Sequence, residues 1–165
     1  MTTLQSAVRR RRAVAVAGAV SAGLLVLSAC DKPTPVATIT VGGNSVNSEA
    51  LCYNDGDKLT ADSLKDCVKN SDDVKSIEVP QDERVRIGVD PKIADEGWVV
   101  LVNGRQFTEV SKNTYLTIPS AAFFSAQYGT QGETNTVAIQ MGEKENRGMW
   151  SFKLKDGNKV KKAEG

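Results

Sequence analysis

The sequence predicts a mainly β protein: a single antiparallel β-sandwich of the immunoglobulin-like kind, with one or two short helices, behind an N-terminal signal peptide. Three observations lead there. From Val36 onward apolar residues mostly recur at every second position, the period of a strand with one buried face. Turn signals such as Asn103-Gly104 and Pro119 separate these runs at short intervals. Ahead of both stands a segment whose only charges are four arginines, the composition of an export signal rather than of a domain.

That segment comes first in the chain. Arg9 to Arg12 precede "AVAVAGAVSAGLLVL", 15 uncharged residues rich in Ala and Gly. A bilayer core needs roughly 20 apolar residues, so cleavage is expected over an uncleaved membrane helix. "LSAC" then matches the bacterial lipoprotein processing box, in which small residues fit the peptidase cleft and the cysteine thiol takes a diacylglyceryl thioether. Cys30 is therefore the expected lipid-attachment residue, and two acyl chains give stable membrane residence where one is marginal. Adjacent arginines leave the general secretory and twin-arginine export routes both open. The expected organisation is a signal peptide over 1–29, a lipidated tether over 30–36, a sandwich over 37–156 and a basic tail over 157–165. At about 3 Å per residue, so short a tether keeps the domain near the membrane.

In the sandwich, Ala37, Ile39 and Val41 alternate with Thr38 and Thr40, giving a first strand. Ile77 and Val79 flank Glu78. Val85, Ile87 and Val89 alternate with Arg84, Arg86 and Gly88. "WVVLVNGRQF" reads as two strands about an Asn103-Gly104 turn, since both residues tolerate positive φ. Leu116 and Ile118 form a strand that Pro119 ends. Val137, Ile139 and Met141 make another row, and Trp150, Phe152 and Leu154 the last, so seven or eight strands are expected. Helices are expected over 60–69, with Thr60 as N-cap, and over 119–126.

Cys52 and Cys67 enclose 14 residues and meet an oxidising compartment after export, so a disulfide is expected. Closing such a loop stabilises a fold by roughly 3 kcal/mol in the chain-entropy model. A redox-active pair is disfavoured, because those cysteines usually stand two residues apart with a lowered thiol pKa. Asn54, Asp55, Asp57, Asp62 and Asp66 suggest calcium, but placing Gly56 at the sharp turn of a calcium loop puts Leu51 and Tyr53 where oxygen donors are required. A solvated turn is the expectation there.

Composition excludes whole classes of chemistry. The 165 residues contain no histidine, which removes Ser-His and Cys-His nucleophile schemes and histidine-based metal sites. No cofactor or metal is expected. Taking the four N-terminal arginines from the 21 basic residues leaves 17 against 20 acidic, a net −3 that argues against nucleic acid as partner. An enzyme would have to work with carboxylates or lysine alone, and the acids of "SDD" and "EKE" read as solvated turns. The tail "KLKDGNKVKKAEG" carries five lysines against two acids and reads as a solvated terminus.

Trp98 to Val102 break the alternation, being apolar on both parities. Either a loop such as "SAAFFSAQY" covers the outward side chains, or they form an exposed patch for a partner. Trp98 and Tyr115 are the candidate ligand-binding residues, with Tyr128 as a weaker aromatic, whereas Trp150 and Phe152 read as core.

The anchor, "CYNDG", "VRIGVDPKIADEGWVVLVNG", "YLTIP" and "WSFKLK" together resemble small actinobacterial (Streptomyces-like) lipoproteins grouped only as a domain of unknown function. The resemblance spans nearly the whole chain after Cys30. It implies a tethered envelope protein on the outer face of the cell membrane and carries over no active-site residues. The expected role is a non-enzymatic module that binds an envelope protein or cell-wall component; the alternative is a small-ligand-capturing lipoprotein serving a transporter.

Overall fold

A computed structural model describes residues 33–69, 74–128 and 133–158, with Val68 and Lys69 described by backbone alone. The chain divides into two compact units, Met1–Pro33 and Thr34–Gly165, and the fold below belongs to the second. Cys30, the signal segment and residues 159–165 lie outside the described residues.

In chain order the elements are β1 (Ala37–Val41), β2 (Asn44–Ser48), β3 (Cys52–Tyr53), α1 (Ala61–Lys69), β4 (Lys75–Val79) and β5 (Arg84–Val89). There follow α2 (Pro91–Glu96), β6 (Trp98–Val102), β7 (Arg105–Gln106), β8 (Tyr115–Pro119), α3 (Ser120–Phe123), a 3₁₀ turn (Ala126–Tyr128), β9 (Thr134–Met141) and β10 (Gly148–Asp156). One sheet runs β2-β1-β5-β8; the other runs β3-β10-β9-β6-β7, with β4 also on β10. The β7-β6-β9-β10 and β5-β8 neighbours follow the immunoglobulin plan of C′-C-F-G facing B-E.

The alternation places Ala37, Ile39, Val41, Val85, Ile87 and Val89 inward from the first sheet, all buried. Trp98, Val100, Val102, Val137, Ile139, Trp150, Phe152 and Leu154 meet them from the second at zero exposure. Each such side chain stabilises the fold by about 1.5–3 kcal/mol. Both indoles have partners: Trp98 Nε1 donates to the Asn113 carbonyl and Trp150 Nε1 to that of Pro35, each at 2.8 Å.

Several expected features stand where the sequence put them. Asn103 (φ +48°) and Gly104 (φ +78°) make the turn between β6 and β7, with Val102 opposite Arg105. Thr60 caps α1, its Oγ1 accepting the Ser63 N–H at 3.2 Å. Cys52 on β3 and Cys67 on α1 stand at disulfide distance, Cα atoms 5.7 Å apart. The second expected helix is shorter than 119–126: α3 stops at Phe123 and a 3₁₀ turn follows.

Other features differ. The sandwich is not wholly antiparallel, because β4 runs parallel to β10, Ile77 facing Leu154. Alternation reports which face a residue takes, not which way the strand runs. β2 is a further strand: Gly42 (φ +56°) and Gly43 turn the chain back on β1, but of the inward positions Asn44, Val46 and Ser48 only Val46 is apolar. α2 is a further helix, with Pro91 in its first turn and Gly97 (φ +78°) ending it.

Of the two alternatives for Trp98–Val102, a covered face and an exposed apolar patch, burial removes the patch. Four of the five are buried and Leu101 is half-buried. The loop "SAAFFSAQY", expected to cover the outward side chains, instead buries Phe123 wholly in the inter-sheet core, where Phe107 packs on it at 4.8 Å and Tyr128 packs edge-on against Phe107. Asn135 pins this loop, donating to the Phe123 carbonyl at 3.0 Å while accepting from Asn103.

The expected tether is partly docked. Pro35 accepts from Trp150, and Val36 exchanges hydrogen bonds with Asp90, its N–H reaching Oδ2 at 2.7 Å.

Candidate binding face

Residues that alternate with the core of the first sheet form its outer face, and register brings them into rows. Asn47, Thr38, Gly88 and Tyr115 lie side by side across β2, β1, β5 and β8. Ser45, Thr40, Arg86 and Thr117 form the next row, and Arg84 beside Pro119 a third. At about 4.8 Å per strand the four-strand rows span about 14 Å.

The chemistry of this face is uneven in sign. It holds hydroxyls, an amide, one tyrosine and two arginines, and no acid. Arg84 and Arg86 are exposed and form no ion pair among the described residues. The bordering acids, Glu49 after β2 and Glu83 beside the Gly42 turn, lie beyond the strand ends. Thr40 and Ser45 hydroxyls share a hydrogen bond at 3.0 Å, which fixes their rotamers and leaves each with further bonding capacity. A Cβ at Gly88 would meet no atom within 4 Å, so there is an open notch between Thr38 and Tyr115.

Tyr115 is 67% exposed, the larger of the two exposed big apolar side chains among the described residues. It also lines an open cleft of about 380 Å³ with Asn113, Thr114, Leu116 and Thr117 along the outer edge of β8. That edge pairs with no described strand. Val89 N–H donates to the Thr114 carbonyl, so 114, 116 and 118 bond toward β5 while Tyr115 and Thr117 aim their backbone groups outward.

The two residues expected to line one pocket are thus separated by burial. Trp98 has no exposed surface and does not line the cleft; it holds the Asn113 carbonyl from within. Tyr128 is half-buried against Phe107. Alternation identified the outward residues Thr38, Thr40, Arg84 and Arg86, but not that they are neighbours.

A second cleft, about 420 Å³, lies among Asp95, Glu96, Lys112, Glu143, Lys144, Glu145 and Arg147. Its charges largely answer one another. Arg147 approaches Glu96 at 3.5 Å and donates to the Gly56 carbonyl, and Lys58 meets Glu145 at 2.7 Å, holding that carboxyl below the usual range. Nearby, the Lys92 ammonium lies 5.3 Å from the Tyr53 ring centre, and the adjacent tyrosine raises its pKa. Asp55 and Asp57 stand exposed in the turn after Tyr53. Among the described residues no three acids or cysteines converge to hold a metal ion, and no helix is long and apolar enough to cross a membrane.

No family model matches the chain, and no curated protein or solved structure matches it.

Proposed function

We propose that this protein is a lipid-tethered, non-enzymatic binding module on the outer face of a bacterial cell membrane, of the kind the actinobacterial lipoprotein resemblance implies, and that it works through the outer face of its first sheet. The observation that supports this reading is the face itself: among the described residues it carries no acid and two arginines without an ion-pair partner, beside an exposed tyrosine. Unpaired charges on a flat sheet cost little in water and gain when a complementary surface approaches. The lipoprotein box before Cys30 supplies the membrane attachment in this reading, and Pro35, five residues further on, is already held by Trp150.

Site-directed photo-cross-linking in intact cells tests the role. A benzophenone side chain at position 117 should capture an envelope component, while one at exposed position 153 on the opposite sheet should not. Equal capture at both would remove the face from the proposal. Mass spectrometry of native material tests the anchor: the amino terminus should be Cys30 carrying a thioether-linked diacylglyceryl group, and an intact leader would refute the attachment.

A second reading, capture of a small ligand for a transporter, is favoured by the cleft beside Tyr115, whose 380 Å³ lies at the small end of ligand-site volumes. Loss of solute uptake in a Tyr115→Ala strain, with Arg86→Ala silent, would favour it over the first.

A further inference from the structure

We infer that the outer face of the first sheet binds an acidic glycan chain, laid across the strands from Tyr115 toward Asn47. This deepens the binding-module reading and rests on it.

The charge argument comes first. Arg84 and Arg86 sit two residues apart on β5, about 7 Å along the strand, and project from the same face. Among the described residues neither has a carboxylate partner, and no acid shares the face to repel an anion. Guanidinium groups present planar paired donors that suit carboxylate and phosphate oxygens. An occupant with spaced acidic groups is complementary to that pair.

The remaining surface suits sugars better than protein. Protein interfaces centre on an apolar anchor in a desolvated pocket. Here the centre is Thr38, Thr40 and Gly88, flanked by Ser45, Asn47 and Thr117, a level field of small donors and acceptors. Tyr115 stands at one end of the row with its ring in solvent, beside the Gly88 notch, where a sugar ring can lie against it. The row length of about 14 Å accepts a short run of sugar units. Nucleic acid is less well matched, since the chain after the leader is net negative and offers two free arginines where a phosphate backbone needs many.

The test uses the full chain purified in detergent, with polygalacturonate as the acidic glycan, dextran as its neutral counterpart, and polyglutamate and phosphatidylglycerol vesicles as anions without sugar. Polygalacturonate should bind and be released by salt, and dextran should bind much more weakly. The Arg84→Ala/Arg86→Ala pair should weaken binding about tenfold or more, as loss of charge-assisted hydrogen bonds implies. Tyr115→Ala should also weaken it, while Lys112→Ala/Lys144→Ala, away from the face, should not. Polyglutamate or vesicles binding as tightly as polygalacturonate would overturn the glycan assignment, as would indifference to the arginine variants. If polygalacturonate fails while position 117 still cross-links an envelope protein, the glycan inference falls and the binding module stands. If both fail, both fall.

Discussion

The indole N–H of Trp150 donates to the carbonyl of Pro35 at 2.8 Å, across 115 residues of sequence and wholly inside the protein. This bond joins the last strand to the segment just before β1, so a core residue pins the start of the domain. The neighbouring contacts between Val36 and Asp90 make the same junction from the other sheet.

Replacing Trp150 with Phe should therefore cost about 2–3 kcal/mol, from an orphaned buried carbonyl and the smaller ring. Urea unfolding should show a lower midpoint, and limited proteolysis should cut earlier before Ala37. An unchanged midpoint would remove the junction's structural role.

The Cys52–Cys67 pair joins short strand β3 to α1. In the oxidised protein, Cys52→Ser/Cys67→Ser should lower stability by roughly 3 kcal/mol. Native protein should resist thiol alkylation at both positions until reduced. Ready alkylation without reductant would show that no bond forms.

Val99 faces away from the inter-sheet core yet is only 6% exposed. Val99→Ser should destabilise the fold by about 1–2 kcal/mol, because burying a hydroxyl adds to the lost methyl burial. An exposed position would give nearly zero by thermal or urea unfolding.

Lys58 and Glu145 form a short but exposed ion pair. The hydrogen bond and charge of Lys58 depress the Glu145 pKa, so the pair's contribution is present above the unfolded-state pKa and lost as pH falls through the folded one. Lys58→Met should be slightly less stable than wild type near neutral pH. The difference should vanish in strong acid and in high salt, because exposed pairs are screened. A difference that survives both would point to packing by the lysine stem.

Local physics was legible where a single residue decides the local backbone. Asn103-Gly104 turned the chain because both accept positive φ, and Thr60 capped α1 because its hydroxyl reaches the Ser63 N–H. The Asp90-Pro91 and Gly97 boundaries of α2 carried the same kind of signal, but the helix has fewer than two turns and Ile93 and Ala94 blend with the flanking strand pattern. β2 went unread because an edge strand with one apolar residue among its inward positions has no hydrophobic alternation to show.

By itself the sequence determined the β class, the inward and outward residues of most strands and which two cysteines of the domain stand together. Those properties follow from residue type and spacing within a few positions. Tertiary structure alone decided that β4 runs parallel to β10, that Trp98 is sealed while Tyr115 is open, and that Arg86 stands between Thr40 and Thr117. Period-two alternation sets which face a side chain takes, whereas its neighbours on that face depend on hydrogen-bond register between strands distant in the chain.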